Sequence, residues 1–125
     1  MKQVVCIDDC DIDLSINLRI IERSGIAACI KAFQDPEEGL EWFTSHREIS
    51  VDLLLLDINM PKMNGFEFLE KFQTLERKNT VVVCFVTTSE KPDEIKKAES
   101  LGAQFSTKPL TKTSFKELMT HLFGV

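Results

Sequence analysis

Tyrosine is absent from the chain, so no phenolic hydroxyl is available to any site or hydrogen-bond network here. Long apolar runs are also missing. The longest, Val81 to Val86, falls far short of the roughly 20 residues that span a bilayer. Met1-Lys2-Gln3 leads straight into a short strand pattern and not into a leader, so a cytoplasmic protein without membrane contact is expected. No C-x-x-C pair occurs: Cys6, Cys10, Cys29 and Cys84 are widely spaced and lie mostly in apolar segments. That spacing argues against a zinc site or a disulfide framework and for reduced cysteines packed as small hydrophobes. Cys10 stands apart because it adjoins an acidic cluster. Basic stripes are lacking too, and a formal net charge of −5 disfavours direct nucleic-acid binding, which needs clustered Lys and Arg.

What is present fits one soluble domain spanning residues 1–125, with a hydrophobic share of 43% and a charged share of 28%. Apolar runs alternate with amphipathic stretches. Strands are predicted over Gln3 to Asp8, Ala28 to Phe33, Asp52 to Asp57, Thr80 to Thr87 and Gln104 to Thr107. Leu53-Leu54-Leu55-Leu56 and Val81-Val82-Val83 show no polar alternation, as strands covered on both faces require. Between them, Asp35-Pro36-Glu37-Glu38 offers an N-cap, a proline for the first helical position and carboxylates for the positive end of the helix dipole. Ser89 with Pro92 and Asp93, and Thr111 or Thr113 before Phe115, read as further helix starts; Gly25 and Gly102 read as stops. Strand, helix, strand at this spacing predicts parallel strands joined by right-handed crossovers, hence a doubly wound three-layer α/β domain. Order along the chain leaves the strand order open.

The first helix, about Asp11 to Ser24, carries two apolar stripes: Leu14, Leu18 and Ile21, and Ile12, Ile16 and Ile20. One stripe suffices for a sheet contact. The first is assigned to the core, and the second is expected to leave apolar surface near the strand ends, a broad buried face being the alternative.

Ligands of doubly wound sheets bind beyond the carboxyl ends of the strands, where residues distant in sequence converge. Strand one ends in Asp8-Asp9 followed by Cys10-Asp11, strand three in Asp57 followed by Ile58-Asn59, strand four in Thr87-Thr88, and strand five in Lys108-Pro109. Carboxylates gathered at one point repel each other unless a cation joins them. Oxygens from Asp9, Asp57, Asp8 and the backbone carbonyl near Asn59 suit magnesium, with manganese as a substitute. A strand-end Asp is by itself commonly a turn residue or N-cap. An acidic pair, a third carboxylate, a hydroxyl and a lysine at four strand ends form a more specific set. With a metal in place, Asp57 can attack phosphorus as a carboxylate nucleophile while Thr87 and Lys108 each take one phosphoryl oxygen.

These residues bring the chain to a known family. Ile7-Asp8-Asp9, Leu56-Asp57-Ile58-Asn59-Met60-Pro61-Lys62-Met63-Asn64-Gly65, Val86-Thr87-Thr88, Gly102-Ala103 and Lys108-Pro109 resemble the bacterial response-regulator receiver domain. The likeness is to its single-domain, chemotaxis-regulator-like form and covers nearly the whole length. The resemblance implies a flavodoxin-like (βα)5 fold with a five-stranded parallel sheet of order 2-1-3-4-5. It also implies Asp57 as phosphoacceptor, Asp8 and Asp9 as the acid pair for magnesium, Thr87 as switch hydroxyl, Lys108 as phosphate contact, and a cis bond before Pro109. Phe105 stands where the family carries a Tyr or Phe that moves with the threonine, and Thr88 is larger than the small residue often found there.

The implied donor is a histidine kinase or histidine phosphotransfer protein, with Ile12, Ile16 and Pro109 as partner contacts. The implied output is a face of helix four, strand five and helix five, including Lys96, Lys97, Phe105 and Lys112, read by a downstream protein that the sequence does not identify. A free-standing regulator, a phosphorelay shuttle and a receiver cut from a larger regulator or hybrid kinase stay open, as do a monomer and a phosphorylation-dependent dimer. Two rivals fit less well. An aspartyl-phosphate phosphatase needs a second acid two residues after its nucleophile, where Asn59 stands, so no enzyme acting on external substrates is expected. A flavin or nucleotide binder needs a donor-rich loop after strand one, where Asp8-Asp9-Cys10-Asp11 would repel phosphate.

Overall fold

The computed structural model describes residues 1–77 and 79–125. In chain order the elements are β1 (Lys2–Ile7), α1 (Asp11–Ser24), β2 (Ala27–Phe33), α2 (Pro36–Ser45), β3 (Leu53–Leu56), α3 (Gly65–Phe72), β4 (Val82–Thr87), α4 (Pro92–Ser100), β5 (Gln104–Thr107) and α5 (Lys112–Phe123). The strands form one sheet of order β2-β1-β3-β4-β5, and every neighbouring pair is parallel. The doubly wound architecture and the implied strand order are therefore both present.

The unbroken leucine run of β3 is explained by its two neighbours in space. Successive side chains point to opposite faces. Leu54 and Leu56 join a core with Phe43, Phe66, Phe68 and Phe85, while Leu53 and Leu55 join one with Leu14, Ile21, Phe115 and Met119. Helices α2 and α3 cover the first face, and α1 and α5 the second. No polar residue is needed in β3 because neither face meets water.

Local chemistry sets the ends of the elements. Asp35 caps α2, its Oδ1 accepting from the Glu37 amide at 2.9 Å, and Pro36 occupies the first helical position. Asn64 and Glu67 form a reciprocal capping box that starts α3, and Thr111 caps α5. Gly25 ends α1 in the left-handed region at φ 71°. The start of α4 differs from expectation: Lys91 holds the cap position with no side-chain bond, and Ser89 instead donates its hydroxyl to Glu94 at 2.6 Å. Strands β3 and β4 are shorter than the apolar pattern suggested, because Asp52, Asp57, Thr80 and Val81 lie outside the regular ladder.

Of the two apolar stripes on α1, Leu14 and Ile21 are buried, while Ile12 is 68% and Ile16 37% exposed. The second stripe does leave apolar surface beside the strand ends. All four cysteines are free, and the Cys6 and Cys29 sulfurs approach to 3.9 Å across β1 and β2. Burial pushes the Cys84 thiol up to about 12, so it stays protonated as a packed apolar group. No helix among the described residues is long and apolar enough to cross a membrane.

Candidate functional site

The sheet's hydrogen bonds continue one step past β1 and β3 and fix the backbone of both central acids. The Asp8 amide donates to the Phe33 carbonyl at 3.0 Å, and the Asp57 amide donates to the Ile7 carbonyl at 3.0 Å. Asp8 and Asp57 are buried and Asp9 is exposed, so the acidic group has two members in the protein and one at its rim. One carboxylate oxygen from each of the three lies within 4.8 Å of the others. That spacing lets one small cation touch all three, and an all-oxygen set suits a hard divalent ion.

Two backbone amides already serve the acids: Cys10 donates to Asp8 Oδ1 at 3.0 Å, and Ile58 donates to Asp57 Oδ1 at 2.9 Å. The other oxygens face Lys108. Its Nζ lies 2.9 Å from Asp8 Oδ2, 3.0 Å from Asp13 Oδ2 and 3.5 Å from Asp57 Oδ2. Burial, then the charge of Asp8, pushes the Asp57 carboxyl up to about 7, against the opposing pull of Lys108 and the Ile58 amide. Burial alone would lower the Lys108 ammonium, but hydrogen bonds to Asp8 and Asp13 and the field of Asp57 hold its pKa above the usual lysine value. Lys108 is thus a fixed cation.

Thr87 ends β4 fully buried, its hydroxyl accepting from the Ser89 amide at 3.3 Å, and its carbonyl accepts from the Lys108 amide at 2.7 Å. The Lys108-Pro109 bond is cis, as the resemblance implied. Asn59 is exposed on the loop that follows Asp57, and Pro109 is exposed as well. Gly65 opens α3 where its amide donates to the Ile58 carbonyl at 2.8 Å, and a Cβ there would collide with the Asp57 carbonyl oxygen. Close approach, and not a left-handed backbone, is the reason for this glycine.

Further out, Phe105 is half-buried and packs against the core cluster containing Phe66 and Phe85; Lys96, Lys97 and Lys112 are exposed. The predicted residues therefore fall into three places: Asp8, Asp9, Asp57 and Lys108 in juxtaposition at the strand ends with Thr87 on the adjoining end of β4 and Asn59 and Pro109 exposed on the loops beside them, Ile12 and Ile16 on α1, and Phe105 with the lysines along α4, β5 and α5. Asp13 is the contact that sequence reasoning missed.

The family described as response regulator receiver domain matches residues 4–121. The chain belongs to this family. The receiver is 35% identical over 109 residues to a protein-glutamate methylesterase/protein-glutamine glutaminase of Paraburkholderia xenovorans, covering 86% of the chain and 29% of that protein. A protein of the same description from Albidiferax ferrireducens is 37% identical over 109 residues, with 86% and 28% covered. The receiver thus spans less than a third of the length of these curated relatives. In structure it matches a chain of the CheX-CheY-BeF3-Mg complex from Borrelia burgdorferi with TM-score 0.84 and 25% identity, covering 98% of this chain and 89% of that one. It also matches a response regulator receiver protein from Burkholderia phymatum with TM-score 0.82 over 100% and 97% of the two chains, where 23% identity speaks to the fold alone. The receiver is a CheY-like domain of bacterial two-component signalling, and its parallel sheet of order 2-1-3-4-5 is the CheY fold.

Proposed function

We propose that this receiver accepts a phosphoryl group from a phosphohistidine onto Asp57 and changes the face formed by α4, β5 and α5 in response. The observation that supports this most directly is the meeting of Asp8, Asp9 and Asp57 oxygens within 4.8 Å beside the Lys108 ammonium. In the transfer, an Asp57 carboxylate oxygen attacks phosphorus, the P–N bond breaks, and the imidazole nitrogen keeps the electron pair. The product is an acyl phosphate on Asp57.

Asp8, Asp9 and Asp57, with the backbone carbonyl of Asn59, would hold a magnesium ion, for which manganese can substitute, and the ion would supply charge neutralisation to the phosphoryl oxygens. The chain's own residues supply the rest. Lys108 donates to one phosphoryl oxygen, and Thr87 turns its hydroxyl from the Ser89 amide toward another. That turn vacates space behind Thr87 for Phe105, which moves inward without any hydroxyl bond of its own and alters the surface bearing Lys96, Lys97 and Lys112. A switch of this kind needs contacts in one state that the other lacks, and Thr87 and Lys108 provide them.

The donor is a histidine kinase or a histidine phosphotransfer protein that packs its helices against exposed Ile12 and Ile16, with Pro109 at the edge of the contact. The receiver is a signalling domain and not an enzyme with external substrates, and it works in the cytoplasm.

The test is incubation with acetyl phosphate and magnesium followed by intact mass measurement. A single phosphoryl adduct that is lost in Asp57→Asn is the expected result. A folded, magnesium-binding protein that takes up no adduct would overturn the reading. For the donor face, Ile12→Ala with Ile16→Ala should slow transfer from a phosphohistidine protein while leaving the acetyl phosphate reaction unchanged.

A further inference from the structure

Asp13 has no role in the chemistry above, yet its carboxylate lies against the ammonium on which that chemistry depends. Its Oδ2 is 3.0 Å from Lys108 Nζ, about as close as Asp8 and closer than Asp57. An ammonium has three donors, and three carboxylates now engage them. Asp8 and Asp13 lie at hydrogen-bond distance and Asp57 farther out at 3.5 Å, so a phosphoryl oxygen carried on Asp57 must compete with the nearer two for the ammonium.

The three partners differ in what release would cost. The side chains of Asp8 and Asp57 are 3% and 7% exposed, and both belong to the set that would hold magnesium, which would replace Lys108 as their cation. Asp13 is 36% exposed and sits in the first turn of α1, where water and the helix's amide end compensate its charge. Asp13 is therefore the one partner outside the metal set, and it can be given up to water at small cost. It also lies on the helix that displays Ile12 and Ile16, so the ion pair joins the lysine to the exposed apolar face.

We infer that Asp13 is a positioning residue that holds Lys108 toward α1 in the resting receiver and yields it when a tetrahedral phosphoryl group occupies Asp57. The inference rests on the reading of Asp57 as the phosphoacceptor. Its consequence is a bias: the ion pair favours the resting form, and weakening it favours the occupied one.

The experiment uses beryllofluoride with magnesium as the probe, its binding followed by fluorine NMR on wild type, Asp13→Asn, Lys108→Ala and the double variant. Asp13→Asn should bind about two- to fivefold tighter than wild type, the equilibrium worth of one partly exposed ion pair. In the Lys108→Ala background the same substitution should change affinity little. Persistence of the full effect without the lysine would mean that Asp13 acts by simple charge repulsion, and would overturn the inference. A second measurement stands if Lys108→Ala binds too weakly to compare: the Lys108 Cε resonance in lysine-labelled protein should move on beryllofluoride binding. In free Asp13→Asn that resonance should already lie nearer the bound position; no displacement in either comparison overturns the inference. Wild type that takes up no beryllofluoride would remove the phosphoacceptor reading itself, whereas normal uptake with an unchanged Asp13→Asn removes only the role of Asp13.

Discussion

At the scale of single residues, Asp57 combines a buried carboxylate with a neighbouring acid, and the combination has a sign that can be measured. Its folded pKa is pushed up to about 7 by burial and by Asp8, whereas an unfolded Asp titrates at about 3.9. Between those values the folded metal-free protein binds more protons than the unfolded chain, so Asp57 makes stability fall as pH rises from about 4 to about 7. Chemical unfolding in the presence of a chelator should show this slope, and Asp57→Asn should flatten it. At about pH 8 the variant should be more stable than wild type by about 1–3 kcal/mol, since it removes a buried charge that Asp8 repels and Lys108, at 3.5 Å, only partly offsets. A variant that is equally pH-dependent, or weaker at that pH, would contradict the electrostatic reading. Asp8, Asp9, Asp57, Thr87 and Lys108 were legible in the sequence because each closes or follows a predicted strand, and strand ends converge in this architecture. Asp13 was not, because an acid in the first turn of a helix looks like a dipole partner and nothing local ties it to a lysine 95 residues away.

At the scale of elements, the beginning of α3 and the end of α2 show how a few short contacts anchor a helix end. Asn64-Gly65-Phe66-Glu67 carries a legible capping pattern, but the need for glycine at its second position arises only from the Asp57 carbonyl brought near by the loop. Gly65→Ala must push α3 away from that loop, which should cost about 1–3 kcal/mol in thermal or chemical unfolding and slow acetyl phosphate uptake at Asp57. Arg77 works at the other end of the molecule. Its Nη1 donates to the Phe43 carbonyl at 3.0 Å and its Nη2 to the Ile49 carbonyl at 2.8 Å, with the guanidinium 4.9 Å from the Phe43 ring centroid. Phe43 belongs to the last turn of α2, whose carbonyls lack helical partners. Arg77→Ala should destabilise the domain by about 1–3 kcal/mol without altering phosphorylation at saturating donor, and Arg77→Lys should restore little, because an ammonium lacks the planar fork. Equal stability of all three proteins would show the clamp to be idle. Helix starts with Asp35-Pro36 or Thr111 were readable because side chain and backbone satisfy each other within a few residues. The start of α4 lies two residues later than Ser89 suggested: the hydroxyl accepts from the Lys91 amide at 3.4 Å and donates to Glu94 at 2.6 Å, while Lys91 itself holds the cap position.

At the scale of the whole molecule, four chain segments from both ends of the sequence converge at the carboxyl ends of the strands, so what binds there is linked to the stability of the entire fold. The pattern of apolar runs carried the three layers because the central strands β1, β3 and β4 are sealed on both faces; it could not carry the order 2-1-3-4-5, which depends on where each crossover lands. With that order, β1 and β3 lie side by side and place Asp8 next to Asp57, so cation binding requires the two strands to keep their register. Magnesium at roughly 100 times its dissociation constant should then add about 2.7 kcal/mol to the folded state, if the unfolded chain does not bind it. For a domain of this size that corresponds to a rise of roughly 10 °C in Tm. The rise should be largest above about pH 7, where Asp57 is ionised and most in need of a cation, and should shrink as the pH falls through that value. Asp9→Asn, which removes an exposed ligand without disturbing the core, should reduce the shift at every pH. Scanning calorimetry with and without magnesium reads all of these at once. A Tm that ignores magnesium in wild type, or a shift of the same size in Asp9→Asn, would mean that the three carboxylates do not act together as a cation site.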